Sequence, residues 1–80
     1  MPVIRVKVCD ENGQSQANQR VKVGECDELN TNDGGIAQFL LVGDGRVDIL
    51  INGAPVFTSA IADLKKEETF TKNGSGFARA

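Results

Sequence analysis

The sequence predicts a small all-β domain, because three observations agree. Apolar and polar residues alternate at period two along several short runs, of which the first spans residues 3–8. Turn-forming pairs such as Asn52-Gly53 separate these runs. No capped helical stripe of ten or more residues is present, although residues 59–68 have room for one short turn. Six or seven short antiparallel strands of this kind are typical of a β-sandwich.

The predicted strands follow this alternation in chain order. They span about residues 3–8, 20–24, 37–41, 47–51, 56–61 and 67–71. Asn52-Gly53 predicts a two-residue hairpin between the fourth and fifth strands, since both residues tolerate a positive φ. Pro55 cannot donate a ladder hydrogen bond, which pushes the fifth strand towards a sheet edge. We expect a single domain over residues 1–72 and a flexible C-terminal tail over residues 73–80.

Length and charge limit the classes of function. Eighty residues suffice for one domain with a thin core, and a net charge of -2 gives no basic field that would attract nucleic acid or anionic lipid. We find no secretory leader pattern and no apolar run near the roughly 20 residues that span a bilayer. We therefore expect a small soluble cytoplasmic protein that binds neither nucleic acid nor membrane. A virion or the cytoplasm of a host cell is the alternative location.

The residue types that common enzyme chemistry requires are sparse. The sequence contains no His, which is the usual general base near neutral pH and the commonest metal ligand. Neither Cys9 nor Cys26 has an adjacent cation in sequence that would activate a thiolate. If the first two strands run in opposite directions, these thiols lie at opposite poles and stay unpaired. We expect no enzymatic activity, no cofactor and no metal site.

The first candidate binding surface is the long loop over residues 24–35. Its polar residues are Glu25, Asp27, Glu28, Asn32 and Asp33. Calcium needs six to eight oxygen ligands, and the loop lacks the spacing of a dedicated cation loop. We therefore interpret these side chains as solvated loop residues or as contacts to a partner.

The second candidate is an apolar face. If Ile49 and Ile51 point inward, Leu50 points outward, and Phe57 joins the same outer face across the hairpin. Together with Leu40 and Ile61 these side chains would form a contiguous apolar patch, which is the signature of an interface. The alternative is a bulge at Pro55 that turns Phe57 inward and leaves only scattered apolar residues on the surface.

Three motifs in chain order resemble the transthyretin-like, or carboxypeptidase regulatory-like, β-sandwich family. They are Asp10-Glu11-Asn12-Gly13, Thr31-Asn32-Asp33-Gly34-Gly35-x-Ala37-x-Phe39-x-Leu41 and Gly45-Arg46-Val47-x-Ile49-x-Ile51-Asn52-Gly53. The resemblance covers about residues 3–71 and implies a transthyretin-like, Ig-like Greek-key fold with an accessory, adhesive or spacer role. Hydrolases of this group use His residues and a Tyr-Arg-Gly-Ser motif. Because the sequence lacks His and Tyr, that activity does not carry over.

The resemblance also bears on the charged residues of the first two strands. Their outward side chains would form a basic ribbon if the strands were adjacent, and such a ribbon would favour an acidic partner: Arg5, Lys7, Arg20 and Lys22. In a transthyretin-like sandwich the two strands belong to different sheets, so these charges would separate. Collagen-adhesin B-type domains, which look similar, can join Lys to Asn with help from a carboxylate. Lys7, Asn73 and Glu68 fall in suitable strands, but the alternation leaves Lys7 in solvent, where its amine keeps its charge.

These observations predict a non-enzymatic protein-interaction or structural module that acts through a loop end or an exposed sheet face. The alternative is a small stand-alone inhibitor or modulator, encoded by a phage or a mobile element, that binds a host macromolecule. In either case the expected partner is another protein or a second copy of the chain.

Overall fold

The computed structural model describes residues 3–43, 45–74 and 76–79, which form two four-stranded β-sheets. The strands are β1 (Val3–Cys9), β2 (Arg20–Val23), β3 (Leu29–Asn30), β4 (Ile36–Leu40), β5 (Arg46–Ile51), β6 (Ala54–Ala60), β7 (Glu67–Asn73) and β8 (Gly76–Arg79). A 3-10 turn over Ile61–Asp63 lies in the segment where the sequence left room for one. The predicted all-β class and the small sandwich are confirmed, with eight strands among the described residues instead of six or seven.

Each sheet combines strands that are not all consecutive in the sequence. Sheet A has the strand order β4-β1-β7-β8, and sheet B has the order β3-β2-β5-β6. The prediction of purely antiparallel strands is wrong for one pair, because β1 and β7 run parallel, with Arg5 beside Glu67. The backbone N–H of Arg5 donates to the carbonyl of Lys66 at 2.8 Å, so the chain enters β7 at the end where β1 begins. That entry point makes the pair parallel.

The hairpin between β5 and β6 forms where Asn52-Gly53 predicted it. Both residues have positive φ, 53° and 85°, as this turn requires. The side-chain carbonyl of Asn52 also accepts the N–H of Arg20 at 3.0 Å, which ties the hairpin to β2. The pairing then shifts by one residue, since Ile49 lies opposite Phe57 whereas Leu50 lies opposite Pro55. This bulge gives Phe57 the same facing as the buried Ile49.

The hydrophobic core lies between the sheets and follows the period-two alternation of the strands. Its buried members are Ile4, Val6, Val8, Val21, Val23, Ala37, Phe39, Leu41, Ile49, Ile51 and Phe70. Phe57, Leu64 and Phe77 are half-buried and pack against this cluster. The inward side chains of β1 and β2 both join this core from different sheets, so the outward charges of the two strands lie on opposite outer faces of the sandwich.

The predicted flexible tail contains strand β8, which extends sheet A beyond β7 and lies close to β6 of sheet B. Gly, Ser and Asn in this segment gave no strand signal in the sequence. The contacts that hold β8 are tertiary, because Phe77 packs against the core and Arg79 pairs with the buried Glu68 at 2.7 Å. The strand order places β8 at an edge, where such contacts replace a second neighbouring strand.

Candidate functional site at the crossover end

One end of the sandwich gathers three connecting segments, residues 24–28, 41–43 and 61–66. Backbone hydrogen bonds of 2.8 Å hold the first and last of these segments in place: Gly24 donates to Asp48 of β5, Ile61 donates to Gly45, and Lys66 accepts from Arg5 of β1. The last segment carries the chain from β6 in sheet B to β7 in sheet A. We therefore call this part of the molecule the crossover end.

The crossover end contains a first depression of about 450 Å³ between β1 and the crossing segment. Its apolar floor consists of Ile4, Ile61 and Leu64. The guanidinium-bearing Arg5 stands on one side, and Lys65 and Lys66 stand on the other. We call these three cationic residues the basic rim.

A second depression of about 360 Å³ lies directly beside the first, and Ile61 lines both. Glu25 and Cys26 of the turn after β2 form one wall, and Val42 and Arg46 form another. The Cys26 thiol lies 3.8 Å from the carbonyl oxygen of Leu40, which holds this turn against the end of β4. The turn and the crossing segment are therefore neighbours on one surface.

Exposed apolar side chains are concentrated at this end. Val3, Leu40 and Val42 are 42%, 54% and 66% exposed, and Val3 lies opposite Leu40 in the β1–β4 ladder. Within residues 3–43, 45–74 and 76–79, the other large apolar side chain of comparable exposure is Leu29 on the short strand β3. Val3 lines the first depression, Val42 lines the second, and Leu40 lies beside Val3 in the β1–β4 ladder.

The basic rim is not neutralised by ion pairs within the part of the chain that the structure describes. Arg5 donates from Nε to the side-chain oxygen of Gln38 at 3.3 Å, which is a neutral acceptor. Glu67 neighbours Arg5 in the β1–β7 ladder without forming an ion pair with it. The three cations consequently surround an apolar floor without a bonded anion.

The candidate residues of the long loop do not form one cluster. Glu25, Asp27 and Glu28 are exposed at the crossover end. Asn32 and Asp33 lie at the opposite end, since the N–H of Asn32 donates to the carbonyl of Ile36, which begins β4. The single loop over residues 24–35 was the wrong interpretation, because β3 interrupts it and carries the chain from one end to the other.

Asn32 itself shapes a turn. Its side-chain carbonyl accepts the N–H of Gly34 at 2.9 Å and the N–H of Ile36 at 3.1 Å. Asn32 Oδ1, which the sequence suggested as a contact to a partner, therefore accepts two hydrogen bonds from within its own turn. The geometry gives Asn32 a structural role at the start of β4.

The predicted apolar patch around Leu50 and Phe57 is also divided. Leu50 is half-buried and alternates with the buried Ile49 and Ile51, which places it on the outer face of sheet B. Phe57 faces inward, with its ring centroid 6.1 Å from that of Phe70. Leu40 lies in sheet A, on the other side of the sandwich. The alternative considered from the sequence, a bulge beside Pro55 that turns Phe57 inward, describes the structure.

Sequence reasoning missed the buried ion pair between Glu68 and Arg79. Glu68 is 1% exposed, and its carboxylate accepts Nε and Nη2 of Arg79 at 2.7 and 3.2 Å and the backbone N–H of Lys65 at 2.8 Å. Arg79 also stacks on Phe57, with Cζ 4.6 Å from the ring centroid. No period-two pattern singles out an inward Glu, because a charged residue in a strand predicts a solvent-facing position.

The pKa of Glu68 reflects two opposing effects. Burial by itself raises the pKa of this carboxyl, but the hydrogen bond from Arg79, that from the N–H of Lys65 and the charges of both residues outweigh it. The pKa therefore lies below its ordinary value. A fully hydrogen-bonded carboxylate of this kind closes the side of the sandwich between β6 and β8 and is a structural element.

The residue types from which a catalytic centre or a metal site could be built lie apart in the described part of the chain. Cys9 is buried and Cys26 is half-buried, and the two thiols are unpaired at opposite ends of β1. In the described ranges we find no group of three or more Cys, Asp or Glu residues placed to hold a metal ion. The inward Glu68 and the outward Lys7 occupy opposite faces of sheet A, which separates the groups that an isopeptide bond would need. Helices that could cross a bilayer are absent from the described residues.

Comparison with known proteins adds no relative. No protein-family model matches the chain, and neither a curated protein nor a solved structure matches it significantly. The transthyretin-like resemblance stays a prediction from the sequence motifs.

Proposed function

We propose that this protein is a non-enzymatic protein-interaction module that binds its partner through the crossover end. The observation that carries the proposal is the exposure of Val3 and Val42, which line two adjacent depressions, and of Leu40 beside Val3 at the same end. Grouped exposed apolar area is typical of a surface that another molecule covers. Charged residues around the apolar centre match the usual anatomy of an interface, in which a polar rim surrounds the desolvated core.

The opposite end of the sandwich provides a contrast that supports this choice. A third depression there is lined mainly by polar side chains, among them Asp10, Gln16, Gln19 and Lys72. Several of these groups already bond to one another or to the backbone, as Gln16 does with Asp10 at 3.4 Å. A partner would displace existing hydrogen bonds at that end, whereas at the crossover end it would cover apolar surface.

The proposal extends to the type of sandwich, which we take to be a transthyretin-like Greek key with an accessory or structural role. The sequence motifs quoted above support it. So does the placement of β1 and β2 in different sheets, as the family resemblance implies for the first two strands.

An affinity capture from the lysate of the source cell tests the proposed function, with Val42→Asp as the variant. Leu29→Asp is the matched control, because Leu29 is also exposed but lines neither depression. Both variants must first reproduce the wild-type circular dichroism spectrum. We expect Val42→Asp to lose the specifically captured partner and Leu29→Asp to retain it. Retention of the partner by Val42→Asp would exclude the crossover end as the binding surface.

The captured partner would also decide between the two functional hypotheses. If the protein is an inhibitor or modulator of a host macromolecule, the activity of the captured partner should change when the protein is added, and an inhibitor should lower it. A structural module predicts that this activity is unchanged.

A further inference from the structure

We propose that the crossover end binds a second copy of this chain, giving a two-fold symmetric dimer. This inference rests on the proposed function, since it assigns an occupant to the same surface.

The crossover end carries opposite charges on its two sides. The turn after β2 presents Glu25, Asp27 and Glu28, all exposed, and we call these residues the acidic turn. The basic rim of Arg5, Lys65 and Lys66 is likewise exposed.

The two charged groups are neighbours without being partners. Ile61 lines both the first depression, beside the basic rim, and the second depression, beside Glu25, and we call the surface at Ile61 the apolar strip. Within the part of the chain that the structure describes, no ion pair joins the acidic turn to the basic rim. Each side also holds charge of the opposite sign: Arg46 lines the second depression, Glu67 neighbours Arg5, and the exposed Asp63 lies in the crossing segment before Lys65.

A surface with adjacent acidic and basic halves is complementary to a second copy of itself. A two-fold axis through the apolar strip places the acidic turn of one copy against the basic rim of the other, and the same contact occurs twice. Val3 and Val42, which line the two depressions that meet at Ile61, then lie between the charged groups, where apolar side chains contribute most of the affinity. The charges at the periphery set the orientation and speed association.

The available surface is compatible with such a contact. The described surface totals 4907 Å², and a standard interface takes about 800 Å² from each partner, roughly a sixth of that area. We expect a reversible dimer with an affinity that falls as the salt concentration rises, because exposed charge pairs are screened.

Analytical ultracentrifugation of the full chain tests the inference. The wild type is expected to move with increasing concentration from its monomer mass of 8.5 kDa towards twice that mass. We expect each double charge reversal, Lys65→Glu with Lys66→Glu or Asp27→Lys with Glu28→Lys, to raise the dimer Kd by about tenfold or more. Mixing the two variants in equal amounts should restore dimers, since each then meets its opposite charge. Lys72→Glu is the control, because Lys72 is exposed at the other end of β7.

The outcomes separate this inference from the proposed function. A wild type that stays monomeric at all concentrations, or dimers that survive in both double variants, would overturn the symmetric contact. Failure of the mixed variants to dimerise would overturn it as well, provided each variant keeps the wild-type circular dichroism spectrum. If the wild type is monomeric while Val42→Asp still loses a different captured protein, the dimer is excluded and the interaction module stands.

Discussion

Replacing Arg79 by Met should show how much the buried ion pair contributes to stability. Met preserves much of the aliphatic volume of Arg79 but removes the two hydrogen bonds to Glu68 and the stacking on Phe57. The carboxylate of Glu68 would then remain inside the sandwich and would keep the hydrogen bond from the backbone N–H of Lys65. A buried charge that loses its partner is among the largest sources of destabilisation by a single substitution.

The magnitude follows from the burial of the two partners. Removing one member of a buried ion pair costs about 3–5 kcal/mol. We expect the low end, about 3 kcal/mol, because the Arg79 side chain is 35% exposed and water can replace part of it. A domain of this size has a free energy of unfolding in the lower part of the range of about 5–15 kcal/mol. The variant should therefore still fold, but with a small free energy of unfolding.

The cost should also depend on pH. The pKa of Glu68 is lowered in the folded protein, so its ionised form stabilises the fold above the ordinary value of 4.5, and this contribution is lost as the pH falls through the lowered pKa. Without Arg79, burial dominates and raises the pKa of Glu68 instead. The difference in stability between wild type and Arg79→Met should therefore be largest near neutral pH and shrink in acid.

Urea unfolding followed by far-ultraviolet circular dichroism measures this difference, since the chain has no Trp or Tyr for intrinsic fluorescence. With a slope of about 1 kcal/mol per molar urea, the midpoint should fall by about 3 M. Lys72→Met, which removes an exposed charge, is the control and should change the free energy of unfolding by less than about 0.5 kcal/mol. If Arg79→Met changes it equally little at pH 7, the argument that the ion pair stabilises the fold is refuted.

Two further predictions concern backbone geometry and the thiols. Gly35→Ala should destabilise the protein more than Gly13→Ala, because both have positive φ but only at Gly35 would the added Cβ lie 2.7 Å from the carbonyl of Val8. Calorimetry should show about 1–2 kcal/mol for Gly13→Ala and a larger loss for Gly35→Ala, and equal losses would contradict the close contact. A thiol reagent should modify half-buried Cys26 faster than buried Cys9. If the fast reaction persists in Cys26→Ser, the reactive thiol is that of Cys9, which would contradict the burial of Cys9.

The sequence was sufficient to predict the class of fold, because a strand with one buried face shows apolar and polar residues in alternation. Val6 and Val8 of β1 and Val21 and Val23 of β2 are fully buried, and the residue between each pair is half-buried or exposed. The turn at Asn52-Gly53 was equally predictable, since few residues adopt positive φ in succession.

Three features escaped prediction, and each depends on contacts between distant parts of the chain. Strand β8 is held by Phe77 and Arg79, whose partners lie on other strands. The parallel pairing of β1 with β7 depends on where the crossing segment re-enters sheet A. A two-residue strand such as β3 is too short to show an alternating pattern. It nevertheless divides the candidate loop into two parts that lie at opposite ends of the sandwich.

The candidate site was predictable only in its acidic part. Glu25, Asp27 and Glu28 lie on the proposed surface, whereas Leu50 and Phe57 were assigned from an unbroken hairpin register. The basic rim was not foreseen, because Arg5 is separated by about 60 residues from Lys65 and Lys66 and meets them only through the fold.

The parallel pairing of β1 with β7 also has a consequence for how the protein folds. Arg5 lies beside Glu67, a separation of 62 residues in a chain of 80. Contacts this distant in sequence carry a large loop-closure entropy and slow folding. During synthesis β1 can pair with β4 on one side, but its other edge has no partner in sheet A until β7 has been made. Sheet B, whose strands end at Ala60, is complete earlier and can form first. We therefore expect the edge of β1 that faces β7 to stay unpaired in the newly made chain until β7 has been synthesised.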